Sequence, residues 1–252
     1  MMTARMDSHA KAKFFSPDVV DDKLLATFTL SRDNLQSIKD IVAGVAARRG
    51  VPAPRCTSIV ATFAVIWHCH IRTAQGDEEA EPQSDGRAHL VFLTDHRSRM
   101  EPRVPDNYLG NCVGPCFAAA PRKDIAVTAG TDGLFTTCSV IAAAIDEGTR
   151  YGHDYWDRCS ELAKEVITAD VPPLSVAGSP RFRVYDVDFG FGRPAKVEVV
   201  SVAKTGAMAV AEVRGGSGGI EHTPYRYCQW PTTRSVFSLA PCTEFEKFRV
   251  II

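Results

Sequence analysis

Hydrophobic and polar positions recur along this chain in two periods, and the period marks each element. In "LATFTL", residues 25–30, Ala26, Phe28 and Leu30 alternate with Thr27 and Thr29, which predicts a half-buried strand. Ser31 follows as a helix cap. Behind it Leu35, Ile38, Ile41, Val42 and Val45 share one helical face, Arg48 and Arg49 fill the last turn, and Gly50 stands just past it. "CTSIVATFAVIWHCHIRTA", residues 56–74, opens on hydroxyl residues and is apolar on nearly every side, so it reads as a buried helix. "AHLVFLT" (88–94) reads as a strand. "CVGPCFAAA" (112–120) reads as extended, with a glycine and a proline that demand an edge or a bulge. Residues 132–147 and 154–167 carry helical periods. "FRVYDVDF", "KVEVVSV" and "AMAVAEV" read as three short strands. The order follows no strict strand-helix repeat. The expected fold class is α/β (α+β), a mixed β-sheet flanked by helices.

Punctuation divides the chain. Residues 1–22 form a polar leader, expected to be partly disordered, with 1–14 the least ordered. Residues 75–87 are acidic and rich in Gly, Pro and Ser, and are expected to be a mobile loop. After "RGGSGG" (214–219) the character of the chain changes, which places a main domain over 23–221 and a divergent tail over 222–252.

Composition narrows the class. The 252 residues can bury a sizeable core, and 45% hydrophobic with 23% charged residues is the balance of a water-soluble globular protein. A net charge of −1 gives no large attraction to nucleic acid or to a membrane surface. No run is apolar enough to span a bilayer. Eight cysteines at no regular spacing read as reduced thiols of a cytoplasmic protein.

Several chemistries fail on their motifs. There is no P-loop, and "GFGRPA" has too few glycines for a dinucleotide fingerprint. His68 and His70 with Cys112 and Cys116 make a poor metal set, because close neighbours on a helix point apart and C-x-x-x-C is not a usual zinc spacing. No metal site is expected. His153 and Asp157 in "HDYWD" fall on one helical face, where a carboxylate can orient an imidazole as a general base. An exposed helical pair is the commoner meaning of that spacing.

Two segments outweigh these. "DHRSRMEPRVPDNYLGNCVG" (95–114) supplies Asp95, Arg97, Arg99, Tyr108, Gly110 and Asn111. "DFGFGRP" (188–194) supplies Asp188, Phe189, Gly190, Phe191, Gly192 and Pro194. In this order they resemble the D-x-R-x-R, Y-F-G-N and D-F-G-W-G runs of the BAHD acyl-CoA-dependent acyltransferases of plants. The likeness covers about residues 15–221, and is greatest to members that malonylate or otherwise acylate flavonoid and phenolic glucosides. Leu109 replaces the usual Phe, and Phe191 the usual Trp.

The resemblance implies a fold, a reaction and partners. The fold would be one half of a chloramphenicol acetyltransferase-like two-domain fold. The reaction would transfer an acyl group, with malonyl a candidate, from acyl-CoA to a hydroxyl of a phenolic or flavonoid glucoside. In the family a histidine of an H-x-x-x-D-G motif deprotonates that hydroxyl. The motif belongs to an N-terminal half that this sequence does not contain, and His153 with Asp157 matches its spelling on the wrong side of the Arg run. The chain is therefore expected to be a truncated half without its own catalytic residues. Acyl-CoA would be a cosubstrate, with no permanently bound cofactor, and the missing half a partner. Arg55, Thr57 and Ser58, at the start of the second helix, would face the CoA, since a helix N-terminus offers free N–H groups to an anion. Thr57 or Ser58 as a plain N-cap is the structural alternative. Asp188 would pair with Arg97, or with Arg99 in its place, and pin two distant segments together. Breaking such a pair would cost roughly 3–5 kcal/mol if it were buried. A non-catalytic relative that binds CoA or a partner chain is the second reading. An unrelated metal-dependent or structural protein is the third.

Overall fold

The structure is a computed structural model. It describes residues 23–25, 27–74, 86–126, 131–150, 152–169, 171–199, 207–227 and 250–251. The leader (1–22), the acidic loop as far as residue 85 and most of the tail lie outside the described residues.

Strands β1 (Lys23–Leu25) and β2 (Thr27–Leu30) lead into helix α1 (Arg32–Arg49). The expected ends of α1 are formed. Ser31 and Asn34 make a reciprocal capping box, and Gly50 closes the helix with φ of 64°, a left-handed conformation that glycine adopts without strain. Its buried face is Leu35, Ile38, Val42, Val45 and Ala46. Helix α2 (Ser58–Ala74) buries Val60, Phe63, Ile66, Trp67 and Ile71 among others.

Strand β3 (Arg87–Asp95) starts inside the expected loop, because Arg87 already pairs with Pro121. A 3-10 turn (Arg97–Arg99) follows, then strand β4 (Val113–Pro121), whose side chains alternate between buried and less buried along its length. Next come the single turn α3 (Arg122–Ile125), helix α4 (Asp132–Gly148), helix α5 (Tyr155–Thr168) and strand β5 (Leu174–Gly178). Strands β6 (Met208–Glu212), β7 (Ile220–Tyr227) and β8 (Val250–Ile251) complete the described elements.

Among the described residues the strands form one mixed sheet in the order β4-β3-β5-β6-β7-β2-β8, with β1 also on β7. The β3–β5 and β5–β6 pairs are parallel and the others antiparallel. β4 is an edge strand, which accommodates the missing N–H of Pro115. One face of the sheet contributes Leu30, Leu90, Phe92, Ala118, Leu174, Val176, Met208, Val210 and Ile220 to a single core with α1, α2 and α4. On the other face His89 meets Glu165 of α5. The expected mixed sheet with flanking helices is present. Strand β7 runs through the boundary placed at residue 221 and continues to Tyr227.

Two expected strands are corrected. "FRVYDVDF" is not a strand: Pro180–Phe182 and Val184–Asp186 are 3-10 turns. Its alternation of apolar residues was misleading, because the residue it buries is Tyr185. Glu212 accepts the Tyr185 backbone N–H at 3.1 Å, and Glu221 accepts its hydroxyl at 3.0 Å. The strand of this region is β5, just before it. Residues 196–199, the described part of "KVEVVSV", form no strand. No helix among the described residues is long and apolar enough to cross a membrane.

Candidate functional site

The Arg run sits where β3 leaves the sheet. The backbone N–H of His96 donates to the Cys112 carbonyl at 2.9 Å, which joins the run to the start of β4. Arg97 then acts as a local clasp. Its guanidinium reaches the Asp95 carboxylate at 2.8 Å, the Gly110 carbonyl at 3.1 Å and the Tyr108 carbonyl at 3.4 Å. Arg99 donates to the Asp95 carbonyl. Burial pushes the Asp95 carboxyl up, but the Arg97 backbone N–H and guanidinium outweigh it and hold the group below its ordinary value. Asp95, Arg97, Arg99, Tyr108 and Gly110 are thus brought together. Asn111 is exposed beside them, and Leu109 is 100% exposed.

The expected pair of Asp188 with Arg97 or Arg99 is not formed. Asp188 is exposed. Its Oδ1 accepts the N–H groups of Gly190 at 2.8 Å and Gly192 at 3.0 Å. Gly190 and Gly192 have φ of 96° and 101°, values that L side chains rarely adopt. The carboxylate therefore caps its own loop, while Arg97 is engaged by a nearer carboxylate and two carbonyls. Phe189 and Phe191 stack on each other and are 77% and 86% exposed.

The start of α2 has a different composition of charge from the one the sequence suggested. Thr57 Oγ1 accepts the Val60 N–H at 3.3 Å, so Thr57 caps the helix. Ser58 Oγ accepts from the Lys39 ammonium of α1 at 3.0 Å, and Arg55 is exposed just ahead. Lys39 was missed because its sequence position marks only the border of an amphipathic face. Two cations, Arg55 and Lys39, and a helix N-terminus therefore share this corner, an arrangement that can attract phosphate groups.

His153 and Asp157 do not assemble a catalytic pair. His153 lies in the turn before α5, Asp157 lies in its first turn, and both are exposed. The charged partners here are Asp154 and Arg158. The buried member of "HDYWD" is Tyr155, 2% exposed, whose ring meets His96 edge to face at 5.7 Å. His96 is 1% exposed, with Nε2 at 3.2 Å from Thr94 Oγ1. Burial, and then Arg99, hold its imidazole below the ordinary histidine value, against an opposing pull from Asp95. Nothing in the hydrophobic period marked His96 as interior. Among the described residues no group of three or more His, Cys, Asp or Glu is placed to hold a metal ion.

Comparison with known proteins places this geometry. Phenolic glucoside malonyltransferase 1 of Arabidopsis thaliana is 32% identical over 216 residues, covering 82% of this chain and 43% of that protein. Coumaroyl-CoA:anthocyanidin 3-O-glucoside-6''-O-coumaroyltransferase 2 of the same plant is 31% identical, covering 86% of this chain and 45% of that protein. The chain thus spans less than half the length of these curated relatives. Among solved structures, vinorine synthase superposes with a TM-score of 0.57 at 18% identity, over 83% of this chain and 46% of that one. TRI101 of F. graminearum with ethyl coenzyme A gives 0.56 at 18% identity, over 81% and 45%. These two establish the fold, about half of which this chain supplies. A sequence model of the Transferase family matches residues 6–223. The chain therefore belongs to the Transferase family, that of the BAHD acyltransferases.

Proposed function

We propose that this chain supplies one half of an acyltransferase that moves an acyl group, malonyl being the first candidate, from acyl-CoA to a hydroxyl of a phenolic or flavonoid glucoside. The observation that carries this reading is the 32% identity, over 82% of the chain, to a phenolic glucoside malonyltransferase. The corner formed by Lys39, Arg55, Thr57 and Ser58 would hold phosphates of CoA. The helix N–H groups and the two cations would bind and orient that anion, and neither would take part in proton transfer. The base that deprotonates the acceptor hydroxyl would come from a complementary half. Free cysteines fit a reducing cytoplasm, the setting we assign to this plant specialised metabolism.

The test is titration of the purified chain with CoA by calorimetry. Wild type should bind weakly. Arg55→Ala and Lys39→Ala should each weaken binding by about 5- to 10-fold, the loss of one partly screened charge contact. Equal affinity in all three would remove this corner from the site. A second reading, a CoA-binding relative without activity, is favoured by the exposed and separate His153 and Asp157. Adding the N-terminal half of an active relative separates the two, since turnover would then appear only under the first.

A further inference from the structure

The loop that delivers Thr57 to the start of α2 carries Cys56, and Cys56 Sγ lies 3.7 Å from Cys138 Sγ of α4. The two residues are separated by 82 positions, so the fold alone brings these thiols into contact. They differ in access. Cys56 is half-buried and lies in irregular backbone, where a small shift costs no helical or strand hydrogen bond. Cys138 is fully buried within a helix. Contact with Cys138 favours the Cys56 thiolate, burial opposes it, and Lys39 favours it again. The same contact, and then burial, hold the Cys138 thiol well above its ordinary value. Cys112 and Cys116 are arranged differently. Cys112 faces Met100 at 3.4 Å, and Cys116 faces Thr94 at 3.6 Å, with its thiol pushed up to about 11 by burial.

We propose that Cys56 and Cys138 form a reversible disulfide that acts as a redox clasp on the segment leading into α2. The sulfurs need only close from 3.7 Å to about 2 Å. A low-molecular-weight disulfide such as glutathione disulfide is the oxidant. The Cys56 thiolate attacks one of its sulfurs, a bond forms, and one glutathione leaves as thiolate. The Cys138 sulfur then attacks Cys56 of the mixed disulfide. The second glutathione leaves, and the Cys138 proton passes to it. Two protein thiols are oxidised to one disulfide, and one glutathione disulfide is reduced to two glutathiones. The clasp ties residues 51–57 to α4 and so holds the helix start in one position. Any effect on CoA rests on the reading given above.

The experiment incubates the folded chain in glutathione buffers of graded thiol-to-disulfide ratio, traps free thiols with N-ethylmaleimide, and maps peptides by mass. A Cys56–Cys138 cross-link should rise with glutathione disulfide, vanish with dithiothreitol, and be absent in Cys56→Ser. The oxidised form should melt at a higher temperature, and dithiothreitol should reverse the rise. Alkylation of both thiols across the whole range, or a stable glutathione adduct at Cys56 without the cross-link, would overturn the proposal. CoA titration of the reduced and oxidised forms separates the two claims. A cross-link in a chain that binds no CoA in either form leaves the clasp standing and removes the acyl-CoA reading.

Discussion

A single carboxylate, Asp188, shows how local geometry overrides a long-range expectation. It accepts two N–H groups of its own loop, is exposed, and meets neither Arg97 nor Arg99. Asp188→Ala should therefore cost roughly 0.5–1.5 kcal/mol, the range of ordinary hydrogen bonds, and not the 3–5 kcal/mol of a broken buried ion pair. Thermal unfolding of the variant checks this, and a loss at the upper range would restore the ion pair. His96 makes an opposite case, a titratable group held inside. Its folded-state value is lowered, so the unfolded chain binds this proton more readily. The stability it contributes is complete above the ordinary histidine value of about 6.5 and is lost as pH falls through that value toward the lower folded one. Urea midpoints from neutral to mildly acidic pH should fall in wild type, and His96→Gln should show a shallower fall.

At the scale of elements, β4 carries its glycine and proline because it is an edge strand and because Gly114 leaves room for its neighbours. A Cβ at Gly114 would overlap Tyr155 Oη and His96 Nε2. Gly114→Ala should destabilise by about 1–3 kcal/mol, since two buried rings must move. A denaturant midpoint unchanged from wild type would show that α5 yields freely. The same contact explains how α5 is seated. Tyr155 anchors its first turn over the Arg run, while the helix further along offers Glu165 to His89.

At the scale of the molecule, one face of the sheet is filled by α1, α2 and α4, whereas Leu93, Leu109, Phe182, Phe189 and Phe191 remain exposed. The chain spans less than half of its curated relatives, and under the function proposed above the general base lies on a complementary half. The purified chain, given malonyl-CoA and a flavonoid glucoside, should form no product, because a general base alone contributes about 10²–10⁴-fold and positioning contributes more. Product that disappears in His153→Ala would overturn this and make "HDYWD" the active site.

Local chemistry made much of this protein legible in its sequence. The ends of α1 were readable because Ser31 and Gly50 act on their nearest backbone neighbours. β4 was readable as an edge or bulged strand because Pro115 has no N–H to give, and the sheet order made it an edge. The family was readable because its motifs are short and contiguous. The tertiary structure decided whatever depends on residues far apart in the chain. Arg97 had several acceptors within reach, and the fold selected Asp95, Gly110 and Tyr108 over Asp188. Tyr185 became the buried residue of its segment only because β6 and β7 present Glu212 and Glu221 to it. Lys39 reached Ser58, and Cys56 reached Cys138, across 19 and 82 positions. No period or motif encodes such meetings, because each is fixed by how sheet and helices pack and not by the sequence on either side.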